Sequence, residues 1–274
     1  MALVLIDGDI LIYKAACGAE QEFRWPDGVW TYWADEELGK DILDQKIEQI
    51  LKDTKADDYI ICLSDPEKNF RKHIYSEYKA NRNGLRRPLI LSAMRDHCLM
   101  EKRTCEYPWL EADDVMGILA TSEDIEGNKI IATVDKDLMQ IPVPVYNMDT
   151  KKIHKPEYRD CMNIFYGQML AGDTIDNYPG CPGVGDATVD EILQATEKWE
   201  QYEHTFKSGK RKGLTETRWH KVPCKDLWEI IVSYFEKAGQ TEEDAITQGQ
   251  LAWILQAHNY NNKGQIIKWE PPHE

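Results

Sequence analysis

The stretch Leu110-Glu111-Ala112-Asp113-Asp114-Val115-Met116-Gly117 sets three carboxylates within four residues, between apolar neighbours. Acids favour solvated faces, so carboxylates at the margin of an apolar run need a reason to be there. The pattern recurs. Residues 3–6 are apolar and Asp7 follows; residues 59–63 lead to Ser64-Asp65; residues 129–134 lead to Asp135-Lys136-Asp137. Asp173 and Asp176 flank a further turn. If these acids face one pocket, it cannot stay empty and fully ionised. At 4 Å and an effective dielectric near 20, each like-charge pair costs about 4 kcal/mol. Such a pocket takes up protons or binds cations. An all-oxygen site suits Mg²⁺ or Mn²⁺ rather than zinc. So many carboxylates suit two ions, about 4 Å apart, which clamp the attacking and leaving oxygens of a phosphodiester. Any one of these acids alone reads more readily as a helix-start or turn residue. That reading does not explain why each apolar run ends in an acid.

The elements that must position these residues can be read next. The runs at 3–6, 59–63 and 129–134 are short and rich in branched residues, which predicts buried strands. Helical patterns between them, notably at 38–51 and 89–99, imply an α/β fold: a mostly parallel sheet with helices on both faces. Ligands of such sheets bind beyond the carboxyl ends of the strands. In an extended segment Asp135 and Asp137 point the same way. Residues 110–120 predict a helix with its acids at or before the first turn, and 159–171 another, ending near Gly172. Gly180-Cys181-Pro182-Gly183-Val184-Gly185 is a glycine-dependent turn before a short helix at 187–195. It can aim backbone N–H groups at one phosphate, helped by that helix N-terminus. Residues 197–225 are polar and basic and read as a loop. Helices near 226–237 and 242–258 close the chain, with Thr241 as an N-cap.

Composition bounds the function. The chain has 274 residues, enough for one large domain or two small ones. No apolar run approaches about 18 residues, so no membrane span is expected. The start does not read as a signal peptide. The seven cysteines include no Cys-x-x-Cys pair, which argues against a zinc knuckle or a disulfide framework and for a reducing cytoplasm. A net charge of −15 taken alone disfavours nucleic acid. The distribution qualifies this. Residues 68–103 hold ten Lys and Arg against three acids, and a second basic stretch contains Lys210, Arg211 and Lys212. In Phe70-Arg71-Lys72-His73-Ile74-Tyr75-Ser76-Glu77-Tyr78-Lys79-Ala80-Asn81-Arg82, cations such as Arg71 and Lys72 can hold phosphates, and aromatics such as Tyr78 can stack unpaired bases. Lys79 and Arg82, three apart, share a face if the segment is helical.

In order, Asp7, then "FRKHIYSEYKANR", "EADDVMG", "TVDKDLMQIP" and "GDTIDNYPGCPGVG" resemble the 5′-nuclease, or flap endonuclease, superfamily over residues 1–195. The later "KSGKRKG" and "TEEDAITQGQLAWIL" are most similar to the stand-alone 5′→3′ exonucleases of short-tailed bacteriophages. The resemblance implies a PIN-like catalytic domain at 1–158 with a basic helical arch around 68–103. It also implies a helical region at 159–274 containing a helix–turn–helix variant that grips DNA. It implies that Asp7, Asp65, Glu111 and Asp113 surround one metal ion. Asp135, Asp137 and Asp173 would hold the other, with Asp114 and Asp176 close by. Lys79 and Arg82 would contact the scissile phosphate. Gly180, Gly183 and Gly185 would form the DNA-gripping turn, where relatives often bind K⁺. Relatives often carry a lysine just after this turn, whereas this chain has Asp186 and Ala187. The implied function is metal-dependent 5′→3′ hydrolysis of duplex DNA at ends, nicks or flaps by a monomer, extending to RNA–DNA hybrids. A structure-specific flap endonuclease and a catalytically lapsed DNA-binding module are the alternatives.

Overall fold

The computed structural model describes residues 1–82, 84–261 and 263–272; Asn83, within the expected arch, and the last two residues of the expected C-terminal region lie outside them. In chain order the elements are β1 (Ala2–Asp7), α1 (Gly8–Gly18), β2 (Glu20–Arg24), β3 (Trp30–Ala34), α2 (Glu36–Thr54), β4 (Asp58–Leu63), α3 (Arg71–Ile74), α4 (Leu91–Glu101), β5 (Thr104–Glu106), α5 (Ala112–Thr121), β6 (Asn128–Thr133), β7 (Val145–Asn147), β8 (Lys152–His154), α6 (Tyr158–Ala171), α7 (Asp186–Leu193), β9 (Glu197–Thr205), β10 (Thr215–Pro223), α8 (Leu227–Lys237) and α9 (Glu242–Ala252). They form two units, and the division is not a single cut at 158/159. The first unit comprises Met1–Phe70, Arg82–Met162 and Ile254–Lys268; the second comprises Arg71–Asn81, Asn163–Trp253 and Trp269–Glu274.

The first unit is built on a sheet of order β5-β4-β1-β6-β7-β8. All its pairs are parallel except β7 with β8. The chain runs outward from β1 through β4 to β5, then returns to add β6 and β7 on the other side. The order therefore reverses between β1 and β6, the position where open α/β sheets bind ligands. Alternation along β1 sends Val4 and Ile6 to one face, where they pack with Leu11 of α1, Leu43 and Ile47 of α2, and Met94 and Cys98 of α4. Helix α5 packs on β1 and β4. The start of α1 lies hard against β4. A Cβ on Gly8 would meet Ile61 Cγ2 at 2.5 Å and Cys62 O at 2.6 Å, so only glycine allows that approach.

The expected arch is not one helix. Within 68–103 the described residues form the four-residue α3, a 3₁₀ turn at Ala80–Arg82, and α4, whose Met94 and Cys98 are fully buried in the core. Lys79 has φ +56°, which interrupts any helix joining it to Arg82, so the two do not share a helical face.

In the second unit, α3 packs on α9, and α8 packs on α9 and β9. Phe165 contacts Trp253 at 4.8 Å and Trp269 at 5.0 Å between ring centroids, and Trp228 contacts Trp269 at 5.6 Å. Thr241 caps α9 as expected, accepting from Asp244 N. The helix stops at Ala252, short of 258, because Trp253 turns extended (φ −69°, ψ 123°). Residues 197–225 are no loop. They make an antiparallel hairpin paired from Pro223↔Glu197 to Thr215↔Thr205, with Lys210, Arg211 and Lys212 at its exposed tip. All seven cysteines are free thiols. Among the described residues no helix is long and apolar enough to cross a membrane.

Candidate active site

Strands β4, β1 and β6 are neighbours, and an acid stands at or just beyond the carboxyl end of each: Asp65, Asp7 and Asp135. At the usual strand spacing the three ends span about 10 Å. Asp7 is at the centre and only 2% exposed. It is the N-cap of α1: Oδ1 accepts from Ile10 N at 3.1 Å and Oδ2 from Thr133 Oγ1 at 2.8 Å. Thr133 also accepts from Asp135 N at 3.0 Å, so one hydroxyl ties the ends of β1 and β6 together. The Asp7 carboxyl is raised to about 7: burial pushes it up most, the two hydrogen bonds pull it down, and the charges of Asp9 and Asp135 push it up.

Asp9 lies in the first turn of α1. Its Oδ1 accepts from Ser64 N at 3.4 Å and stands 3.7 Å from Arg95 Nη1. Arg95 also donates to Ser64 O at 2.7 Å and pairs with Glu106. Ser64 Oγ accepts from Ala112 N at 2.9 Å, which fastens the start of α5 to the end of β4. Asp113 belongs to the same neighbourhood. The buried Cys62 thiol is pushed well up, first by burial and then by the charges of Cys105, Asp7, Asp9 and Asp113. Asp135 caps the 3₁₀ turn Lys136–Gln140, its Oδ1 accepting from Asp137 N at 2.9 Å. The two acids thus sit on a turn, not on the extended segment expected.

Among the described residues, no three Asp, Glu, His or Cys side chains close into a ready-made ion cage. A divalent cation nonetheless fits the chemistry. The donors are all oxygen, and the buried Asp7 carboxylate, costly to ionise without a counter-charge, has Asp9 and Asp135 close enough to add to that cost.

Residues 2–163 match the family model "5′-3′ exonuclease, N-terminal resolvase-like domain". An exonuclease of Escherichia phage T7 is 33% identical to this chain, over 98% of it and 93% of the relative. The chain belongs to the 5′-3′ exonuclease family. The exodeoxyribonuclease of Enterobacteria phage T3 has the same identity and coverage. Among solved structures, the T5 5′-exonuclease with zinc bound superposes with a TM-score of 0.59 at 16% identity, over 92% of this chain and 89% of that one. A T5 flap endonuclease complex with DNA and metal ions gives 0.60 at 15% identity over the same shares, and both likenesses speak to the fold alone.

In this 5′-3′ exonuclease family member, the expected residues sort into three groups. The first unit gathers Asp7, Asp113 and Asp135 with Asp9, which the sequence reading did not single out. Asp9 was legible in "DGD", two residues after the strand-end acid. Arg95 and Thr133 were also missed, and nothing local marks them.

A second group is occupied within the protein. Asp65 Oδ1 accepts from Glu67 N and Lys68 N at 2.9 and 3.0 Å, and Oδ2 from Trp109 N at 2.8 Å. Burial raises its carboxyl, but these bonds and Lys68 outweigh burial and hold it below the ordinary value. Asp114 is fully buried and accepts from Leu255 N at 3.0 Å and Glu111 N at 3.3 Å, anchoring the N-cap of α5. Arg71 and Tyr78, expected to meet nucleic acid, are 3% and 2% exposed. Arg71 donates to the carbonyls of Leu251 and Trp253 at 3.0 and 2.6 Å, a structural role. Lys72 is exposed, as a phosphate contact requires.

The third group lies in the second unit, apart from the exposed Arg82. Asp173 Oδ1 caps its own turn, accepting from Ile175 N and Asp176 N at 2.6 and 3.0 Å. Asp176 Oδ2 accepts from Tyr78 Oη at 2.9 Å and stands 3.4 Å from Lys79 Nζ. Gly180 donates its N–H to Gln248 Oε1 at 2.9 Å, so that amide is committed to the protein. Gly183 has φ +80° and open space around it, and Gly185 is the N-cap of α7.

Proposed function

We propose that this protein is a divalent-cation-dependent 5′→3′ exodeoxyribonuclease acting on duplex DNA at the acid cluster of the first unit. The observation that carries the reading is the placing of the buried Asp7 at the sheet's reversal point, tied through Thr133 to Asp135 at the end of the neighbouring strand and followed by Asp9 in the first turn of α1. Asp7, Glu111, Asp113 and Asp135 are the residues we assign to hold Mg²⁺ or Mn²⁺, with Asp9 and Asp137 beside them. When bound, the ions supply the charge that stabilises the attacking and leaving oxygens of the phosphodiester.

The chain's own residues do the rest. Thr133 and Ile10 orient Asp7; Asp65 and Asp114 hold the turns that present Trp109 and Glu111. Arg95 restrains Asp9 and keeps the cluster from repelling itself apart. Lys79, held beside Asp176 and 5.2 Å from the Tyr78 ring centroid, is presented in one orientation for a phosphate. Lys72, Arg82 and the hairpin-tip cations supply further phosphate contacts, and the turn around Gly183 and Gly185 would grip the duplex and would be the place to hold a K⁺ ion.

The test is Asp135→Asn with a Mg²⁺ titration on 5′- and 3′-labelled duplexes. We expect DNA binding with little cleavage at any Mg²⁺ concentration, and no wild-type cleavage in EDTA. Near-normal turnover of the variant would remove Asp135 from the site. The likeness to a T5 flap endonuclease supports a second reading, a flap endonuclease. Product sizing on nicked, blunt, flapped and RNA–DNA substrates separates it: mononucleotides favour the exonuclease, released flaps the alternative.

A further inference from the structure

Strands β2 and β3 form a two-stranded ribbon paired from Glu20↔Ala34 to Arg24↔Trp30, closed at Pro26-Asp27-Gly28. Side chains alternate along each strand, so the ribbon has two faces. One face carries Glu20, Glu22, Arg24, Trp30 and Tyr32. Its aromatics are covered by cations: Arg24 lies 5.5 Å from the Trp30 ring centroid, and Arg86, paired with Glu20, lies 3.8 Å from that of Tyr32. The other face carries Gln21, Phe23, Trp25, Val29, Thr31 and Trp33, and no charge. Its members touch one another. Phe23 meets Trp25 edge-on at 4.9 Å, and Trp25 Nε1 donates to Thr31 Oγ1 at 3.1 Å. Phe23, Trp25, Val29 and Trp33 are 57, 49, 52 and 57% exposed. Single exposed apolar residues are ordinary, but four side by side mark an interaction surface.

We propose that this bare aromatic face docks a short, extended, apolar segment of a partner protein, flanked by Lys or Arg. The charge around it selects the partner. Residues 20–41 hold Glu20, Glu22, Asp27, Asp35, Glu36, Glu37 and Asp41 against Arg24 and Lys40. A nucleic acid strand meets that field with the wrong sign, and a second copy brings the same acids and its own net charge of −15. Size points the same way. Five residues of two strands cover roughly 17 by 10 Å, far short of the ~800 Å² per partner of a stable interface between folded proteins. That footprint suits a single extended segment, which the ribbon's outer edges can also hydrogen-bond. The surface is independent of the nuclease reading.

The test pans a random dodecapeptide library displayed on phage against the full-length protein, with counter-selection on Trp33→Ser. Enriched peptides should combine apolar residues with flanking Lys or Arg. Their affinity should fall about ten-fold or more with Trp33→Ser or Phe23→Ser. It should change little with Trp30→Ala on the opposite face, and recover with Trp33→Phe, which shows that the ribbon itself survives. Nuclease activity should be unchanged in all four variants. No enrichment, acidic peptides, or equal loss with Trp30→Ala overturns the proposal. So does a wild-type dimer in sedimentation velocity that Trp33→Ser abolishes, which assigns the face to a second copy. Loss of oligothymidine binding with Trp33→Ser assigns it to single-stranded DNA and overturns it equally.

Discussion

Replacing Asp7 by Asn tests the electrostatic core of the site. The folded carboxyl titrates at about 7, whereas an unfolded aspartate titrates near 3.9. The native protein therefore holds this proton to higher pH than the unfolded chain does. Asp7 has almost no effect on stability below pH ~4, and its destabilisation grows as pH rises to about 7 and then levels off. Fully developed, the effect is on the order of a few kcal/mol, of which less than half has appeared at pH ~5. Asparagine keeps the shape. Its amide oxygen accepts from Ile10 N and its NH₂ donates to Thr133 Oγ1, replacing bonds of 3.1 and 2.8 Å. In EDTA, urea melts of Asp7→Asn and wild type should show the variant more stable at pH ~8 by several kcal/mol, with the gap shrinking by ~2–3 kcal/mol at pH ~5. Mg²⁺ at pH ~8 should then stabilise wild type and leave the variant almost unmoved, because binding to the native state adds stability by mass action. A gap that does not change with pH would refute the assignment of burial and neighbouring acids as the cause of the shift.

Arg71→Met removes a buried guanidinium from the carbonyls of Leu251 and Trp253. It should lower unfolding stability by ~2–4 kcal/mol in urea melts, while the folded fraction binds DNA normally. Changing Lys210, Arg211 and Lys212 to Ala together should reduce the slope of log affinity against log salt by about 0.9 for each phosphate that is no longer neutralised. Fluorescence anisotropy across a salt series would read it, and an unchanged slope would remove the hairpin tip from the duplex grip. At Gly180, φ is +65° and a Cβ would lie 2.3 Å from Gly172 N. Gly180→Ala should therefore cost at least ~2 kcal/mol in thermal or urea unfolding. Lys79→Ala should lower cleavage more than DNA affinity, since one cation among several phosphate contacts matters most where charge develops.

The aromatic ribbon shows where sequence signals were present but outweighed. Trp25-Pro26-Asp27-Gly28-Val29 has the residues a tight turn wants, with Gly28 at φ +85°. Its strands, however, bury neither face: Glu22-Phe23-Arg24-Trp25 alternates, but Trp30, Tyr32 and Trp33 put aromatics on both faces of β3, so the period-two pattern does not carry through the hairpin. The β9–β10 hairpin hid for a related reason: its nine-residue strands are mostly polar and charged and read as loop when no face is apolar.

The primary structure by itself determined the parallel sheet and the acids at its strand ends. Apolar runs of branched residues must be buried, and the acid that follows each run falls at the edge of that burial. It also determined family membership, because the order of the motifs survives without coordinates. Only the tertiary structure decided which polar residues are spent on the protein itself. Arg71, Tyr78, Asp65 and Asp114 have the chemistry of site residues, but groups far away in the chain claim them. Such partners come from segments up to 182 residues distant. A hydrogen bond depends on separation in space, which residue type and local spacing do not encode.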